Sequence, residues 1–596
     1  MFLKRITVRK DAKVHTYWAL IKSVRTARGP RHETVTYLGE LGPAEHAGWA
    51  EVRRLLDGIP PASPSLFDRA GDSSDPVPER VEVKIRGIQV EGTRDFGDVY
   101  LGWVLWRALK LDACLKAKIS EGREEVSWAA MAAILALARF CEPSSELHIE
   151  DTWYRRTALS DLLGVSAEQI NTDRLYRGLD KVLPHKEAIE RHLRERFATL
   201  FDASFDLILY DVTSTYFEGL MERNPQAKRG HSRDKRPDCL QVCIALLVTR
   251  EGLPIGYEVF SGNRNDMTTL QEIVEGMERK HGAIGRVWVV DRGIASEKNL
   301  EFLRKRGASY VVGTPKSALK KFERELVEGG WSEAGPGVEV KACPGPEGVE
   351  TFVLCRSGDR REKEKAMHER FAARIEKALE KLAGRLERAR KKVDRSRVER
   401  QIGRLMGQNS RAAAGFQIKV EEAPERGSGL KVSFDRNKAW ADWATMSEGH
   451  YLLRTNLVGW KPEDLWKTYI QLTQAESAFR IEKTELNIRP IWHQLEKRAQ
   501  AHILFSFLAY AMWKTLEQWM AKSGLGNGPR TVVEEFGRLK AVDMMLPTST
   551  GRKLRLSCVS NPDEGQQILL SQLGIEIPRR LGQPRWVEAA NAGAKM

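Results

Sequence analysis

Apolar and polar positions fall into two textures along the chain. From about residue 97 to 200 they recur at helical spacing, as in "WAAMAAILALARF" and "PHKEAIERHLRERFATLF". From 205 they break into short apolar runs: "FDLILYD", "LQVCIALLVT" and "LPIGYEVF" read as three strands, with a Gly-containing turn at "REGLP", in an antiparallel meander. Helix "TTLQEIVEGMERKH", strand "RVWVVD", helix "SEKNLEFLRKRG" and strand "SYVVGT" complete the order β-β-β-α-β-α-β, an α/β sheet with helical cover. Nearer the amino terminus, "HTYWALIKSV" and "ETVTYLGEL" predict a β-hairpin turning at "RTARGPRH". The Pro- and Ser-rich "GIPPASPSLFDRAGDSSDPVPE" predicts a solvated linker.

After Thr314 the order is interrupted. Residues 315–446 hold a Gly/Pro-rich part and a highly charged segment in which Phe371, Ile375, Leu379, Leu382, Leu386 and Val393 recur as on one amphipathic helix with a basic outer face. That face reads either as a solvated side or as a DNA-contacting arm. Strand "HYLLRTNL" and one long helix from Pro462 to about Lys483 resume the α/β pattern. Within the helical block, "LSDLLGVSAEQINTDRLYRGLDKVL" places a turn at Gly164 before a helix bearing Arg174, Tyr176 and Arg177, a pattern shared by a DNA-reading helix-turn-helix and an ordinary helical hairpin. The expected divisions are 1–60 (β-hairpin region), 61–95 (linker), 96–200 (helical, DNA-binding), 201–314 and 447–520 (the two parts of the core), 315–446 (insertion) and 521–596 (carboxy-terminal region).

At 596 residues the chain is long enough for several domains. Its 96 Lys and Arg against 81 Asp and Glu give a net charge of +15, which favours a polyanionic partner such as nucleic acid. The seven cysteines are scattered without the paired spacing of a zinc site, so they read as buried thiols. The longest apolar runs fall short of a membrane span, and "MFLKRITVRKDAK" lacks the pattern of a secretory signal; the expected location is the cytoplasm, at the nucleoid. The phosphate-binding pattern G-x-x-x-x-G-K-[ST] is absent, leaving an ATP-driven mechanism without support.

The chemistry-bearing positions are carboxylates. Asp211 stands at the tip of "LILYD" and Asp291 at the tip of "VWVVD", and adjacent strands would bring both to one sheet edge. On a continuous helix Tyr469, Leu472, Glu476 and Lys483 share one face, which turns Glu476 toward the interior. Thr213 and Ser214 then read as the wet floor of a site. Asp266 reads as a local residue ahead of a capping box formed by Thr269 and Glu272. Three carboxylates suit Mg²⁺, a hard cation that takes oxygen ligands. Two such ions serve phosphodiester displacement.

"YDVTSTYFEG", "GHSRDKRPDCLQVCIALLV", "VVDRGIAS" and "YIQLTQAESAFRIEKTELNIRPIWHQLEKRAQAHILF" resemble the motif blocks of DDE insertion-sequence transposases, in the insertion sequence 4 superfamily and its insertion sequence 1634 group. The resemblance implies an RNase H-like catalytic core with an inserted domain, and Asp211, Asp291 and Glu476 as ligands of two Mg²⁺ ions, with Mn²⁺ as a substitute. It also implies cut-and-paste transposition on double-stranded DNA by a homodimer assembled on the element ends. Of the family's Y-R-E-K signature, Tyr469, Glu476 and Lys483 match, while Leu472 stands at the Arg position and Arg480 is the nearest replacement. Tyr469, Lys483 and Arg480 are implied phosphate contacts, and His231, Arg233, Lys235 and Arg236 in "RGHSRDKRPD" would track the DNA backbone. The rival readings are an RNase H-like nuclease without strand transfer and an inactive DNA-binding relic.

Overall fold

The computed structural model describes residues 77–587 apart from 79, 121, 283–285, 346, 347, 349 and 527, together with the backbone of three strands before them. The Pro- and Ser-rich stretch 58–79 falls almost wholly outside the described residues, while the rest of the expected linker, 80–95, holds a single turn of helix at Ile85–Gly87 and a strand. Two compact units divide the chain, residues 1–284 with 473–596, and residues 285–472.

The first unit begins with β1 (Phe2–Lys10), β2 (Lys13–Thr26) and β3 (Gly29–Gly39), an antiparallel three-stranded sheet, so the expected hairpin gains a strand on its amino-terminal side. After β4 (Gln89–Asp95) come α1 (Gly97–Ala108), α2 (Trp128–Cys141), α3 (Thr172–Val182) and α4 (Lys186–Phe201). The Ser127 hydroxyl starts α2 by accepting the Ala130 N–H at 3.2 Å, and the Ala-rich helix that follows is buried on nearly every side.

The segment read as a possible helix-turn-helix folds differently. Its first helix is five residues long, Leu159–Leu163, and Gly164 ends it at φ +67°. The apolar stripe Leu175, Gly178, Leu179 and Val182 buries α3 against α2.

Strands β5 (Leu207–Tyr216), β6 (Gln241–Val248) and β7 (Pro254–Ser261) form the expected antiparallel meander, with Gly252 at φ +81° in the turn, and α5 (Leu270–His281) follows. One expectation is corrected here: β5 does not end at Asp211. It continues five residues, pairing Thr213 with Ile244 and Thr215 with Val242, because β-branched Thr fits a pleated ladder as well as Val does. Thr213, Ser214 and Thr215 are buried, not a wet floor.

In the second unit β8 (Val287–Val290), α6 (Glu297–Lys305) and β9 (Ser309–Gly313) make a parallel βαβ step, with Ser296 capping α6. The inserted residues divide in two. β10 (Ser332–Gly335), β11 (Val338–Pro344) and β12 (Thr351–Ser357) extend the unit's sheet as a meander. Then α7 (Gly358–Glu387), α8 (Arg395–Gln408), β13 (Phe416–Glu422) and β14 (Leu430–Arg436) build a module with cores of its own, Ile375, Leu379 and Phe416 in one and Leu382, Leu386, Val398 and Val432 in the other. The chain leaves α7 at Glu387, so Val393 packs from the connecting turn and not from the same helix. β15 (His450–Thr455) returns between β12 and β9, giving the mixed order β10-β11-β12-β15-β9-β8, and α9 (Pro462–Ile470) ends the unit.

The single helix expected from Pro462 to Lys483 is two. Leu472 donates its N–H to the Tyr469 carbonyl at 3.0 Å in a tight turn, and α10 starts afresh at Thr473 and runs to Thr484. α11 (Glu496–Lys522) is the buried axis of the first unit and packs on α2. Beyond α12 (Pro529–Gly537), strands β16 (Lys540–Pro547), β17 (Lys553–Val559) and β18 (Arg585–Val587) complete a sheet ordered β18-β17-β16-β4. Among the described residues no helix is long and apolar enough to cross a membrane.

Candidate active site

In the first unit the site is built where α10 lies on β5 and β6. The stripe Ala475, Ala478, Phe479 and Glu482, at spacings of 3, 1 and 3, is the buried face of α10, and its two alanines allow a close approach. Glu476 sits one residue, about 100°, off that stripe and is exposed, contrary to the inward orientation expected for it. It makes no ion pair with Arg480 or with any other described residue. Arg480 is exposed too and donates to the Ser477 hydroxyl at 3.2 Å. Leu472 is 6% exposed, so the position of the family's Arg is apolar core here.

Asp211 is half-buried in mid-strand, opposite Leu246, and its Oδ1 accepts the Val212 N–H at 2.8 Å. Two residues on, the Thr213 hydroxyl accepts from Lys483 Nζ at 2.8 Å, and Lys483 also reaches Asp234 Oδ1 at 2.9 Å. Arg489 donates to that same oxygen, while the buried Asp234 Oδ2 has no partner. Burial and the neighbouring Arg233 charge push the Lys483 ammonium down to about 8, against the opposing pull of Glu482 and Asp211. Asp234 and Arg489 were missed in the sequence; an acid set among four bases in "HSRDKR" is the only mark Asp234 carries there.

The loop "RGHSRDKRPD" is partly committed inward. The Arg233 guanidinium donates to the Val212 carbonyl and to Asp266, and its N–H donates to the Ser214 hydroxyl at 3.2 Å. Asp266 is therefore an anchor for this loop. The capping box expected beside it does not form, because Thr269 Oγ1 bonds Tyr210 Oη at 2.6 Å and Glu272 pairs with Arg264; Asn265 caps instead. Arg236 pairs with Glu218 and Asp238 and lies over the Tyr216 ring. His231 and Lys235 are exposed, and their side chains have no ion-pair partner among the described residues.

Glycine closes the loop's base. A Cβ on Gly262 would lie 1.9 Å from the Gln241 carbonyl oxygen and 2.5 Å from that of Lys228. Gly262→Ala is expected to cost about 1–3 kcal/mol through this overpacking. The measurement is a urea titration beside Gly282→Ala, where a Cβ meets no neighbour within 4 Å but the φ of +78° carries its own smaller strain.

In the second unit Asp291 follows the last residue of β8, exposed, with its carbonyl accepting the Ile294 N–H at 3.0 Å in a turn. Like Glu476, it has no ion-pair partner among the described residues. Tyr469 on α9 stands near it: burial, and then the Asp291 charge, push the phenol well above its ordinary range, so it stays a hydrogen-bond donor. Gly313 at the end of β9 makes room, since a Cβ there would sit 2.5 Å from the Tyr469 hydroxyl. Within either unit, no three His, Cys, Asp or Glu side chains among the described residues stand close enough to share a metal ion.

Of the two arginines placed on the helical hairpin, Arg174 is tied to Glu125 and to the Gln169 carbonyl, while Arg177 is exposed. Tyr176 between them packs on His493 and Arg498.

Asp211 on β5, Asp291 after β8 and Glu476 on α10 all fall within one stretch of the chain that a known family matches. The model of the transposase DDE domain matches residues 206–512, more than half of the chain, and that of the IS1634 family transposase amino-terminal domain matches residues 3–65. The chain thus belongs to the DDE transposases, as an IS1634-like member. The piggyBac transposase in a synaptic complex with hairpin DNA is a solved structure similar to it, at 10% identity and a TM-score of 0.35 over 75% of this chain and 81% of that one. None of the curated proteins matches the chain.

Proposed function

We propose that this transposase has an RNase H-like core, binds the terminal inverted repeats of an insertion sequence as a homodimer, and moves the element by cut-and-paste. Asp211, Asp291 and Glu476 would hold two Mg²⁺ ions, or Mn²⁺ in their place. The observation that carries this is the state of two of these carboxylates. In a chain of net charge +15, Asp291 and Glu476 are exposed and have no cationic partner among the described residues. All-oxygen donors fit a hard divalent cation. When bound, the ions supply polarisation of the phosphodiester and stabilisation of the attacking and leaving oxygens.

The protein's own groups position the DNA. Tyr469 offers a phenol held in its protonated form, and Lys483 offers an ammonium aimed by Thr213 and Asp234. Arg480, His231, Lys235 and Arg177 are exposed and reach the backbone as flexible contacts. Arg233, Arg236 and Arg174 act through the shape of the segments they tie down. The test is a labelled element end incubated with Mg²⁺: the reading expects cleavage followed by joining of the 3′ end, whereas a nuclease without strand transfer gives cleavage alone.

Lys483 adds a pH signature. A phosphate contact needs its charged form, which predominates below about 8 and is lost above it. End affinity of the parent is expected to fall by about tenfold between pH 7 and pH 9 through this group, and that of Lys483→Gln to start lower and stay flat. Fluorescence anisotropy at the two pH values checks it, and parallel pH profiles for parent and variant would contradict it.

A further inference from the structure

The inserted module carries a charge asymmetry that its own fold does not use. Along α7, residues 358–384 are nearly balanced, eight Lys and Arg against six Asp and Glu. Across the end of α7, the turn and α8, residues 385–411, the count becomes ten against three, and all ten cations are exposed. The few acids present are engaged: Glu399 takes Arg395 at 2.8 Å, and Asp394 lies 4.0 Å from Arg400. Arg390, Lys391, Lys392, Arg397 and Arg404 have no acidic partner among the described residues. Arg390, Lys391 and Lys392 fill the turn, and Arg397 and Arg404, seven residues apart, share one face of α8.

A face that merely keeps a helix soluble mixes both signs, and like charges gathered at one tip work against the fold. The module can carry this strain because its two cores sit beneath, with Val398, Ile402 and Leu405 turned inward from α8. We infer that the tip of this α7–α8 hairpin is a sequence-independent grip on the phosphate backbone of duplex DNA, separate from the carboxylate site. Lys and Arg ends on flexible stems match phosphates at any sequence, whereas base reading needs side chains fixed at groove edges. The inference rests on the reading that the chain works on duplex DNA and adds where the non-specific part of the affinity resides.

The test uses the full chain and a fivefold variant carrying Arg390→Gln, Lys391→Gln, Lys392→Gln, Arg397→Gln and Arg404→Gln, with a charge-keeping control in which the three arginines become Lys. Binding to an element end and to an unrelated duplex is followed across salt concentration. The slope of log K against log salt is expected to become shallower by about 0.9 for each phosphate no longer neutralised, so by about 3 to 5, on both duplexes alike, while the control keeps the parent slope. An unchanged slope, or a weakening on the element end alone, overturns the inference. Failure of the catalytic reading looks different: the parent would bind with its full slope and leave a saturating element end uncut.

Discussion

Glu476→Gln is expected to lose Mg²⁺-dependent cleavage of an element end by about a thousandfold or more while folding and binding DNA like the parent. The structure makes this a clean substitution. Glu476 is exposed in the first turn of α10, outside the stripe that packs on β5, and has no ion pair to break. Exposed positions of this kind change stability by only about 0.5 kcal/mol. A carboxylate that helps hold a catalytic cation supports several kcal/mol of transition-state stabilisation, and about 4 kcal/mol is a factor of about a thousand. The same reasoning applies to Asp291→Asn. Asp211→Asn is less clean, since that side chain is half-buried within β5. Single-turnover cleavage with thermal melts and anisotropy on the same preparations checks the prediction; cleavage retained within about tenfold would remove Glu476 from the site.

The second large effect concerns Glu482, next to Lys483 and on the buried face of α10. It is 3% exposed, and burial pushes its carboxyl up to about 8, with only the Lys483 charge opposing. The folded pKa lies above the ordinary 4.5, so the folded state holds a proton that the unfolded chain gives up. Stability from this group is complete below about pH 4.5 and is lost as pH rises through about 8. Over that window the parent should lose about 5 kcal/mol relative to Glu482→Gln, which has no proton to release. Urea midpoints for both proteins at pH 5 and pH 9 measure it. The gap between them should shift in favour of the variant at pH 9, and parallel values at both pH would show a charged, compensated Glu482.

Periodicity carried the strand order of the first unit well, because β5, β6 and β7 are each walled by apolar runs, and α2 and α11 are buried on nearly every side. It failed where polar residues serve the interior. Thr213, Ser214 and Thr215 looked like the end of a strand, yet the Lys483 ammonium and the Arg233 N–H occupy two of their hydroxyls and let the ladder continue. The break at Leu472 left no Gly or Pro to announce it, so an i, i+7 count ran across two helices and placed Glu476 inside. Glu482 is the carboxyl that fits the buried spacing of α10, which shows only once the helix is known to start at Thr473. Asp234 lies 249 residues from Lys483 and 255 from Arg489 in sequence, and only the folded chain brings the three together. In the second unit the extension of the sheet by β10–β12 is hidden by the Gly- and Pro-rich connections around these short strands.

The most direct test of the central claim is a change of metal preference. A thiolate is a softer ligand than a carboxylate and holds Mn²⁺ better than Mg²⁺. Asp291→Cys, made at an exposed residue without an ion pair, should lose end cleavage in Mg²⁺ and regain a substantial part of it in Mn²⁺, while the parent cuts in both. Cleavage by the variant that is equal to the parent in Mg²⁺, or lost equally in both metals with DNA binding intact, would contradict a metal-holding role for Asp291 and with it the three-carboxylate site.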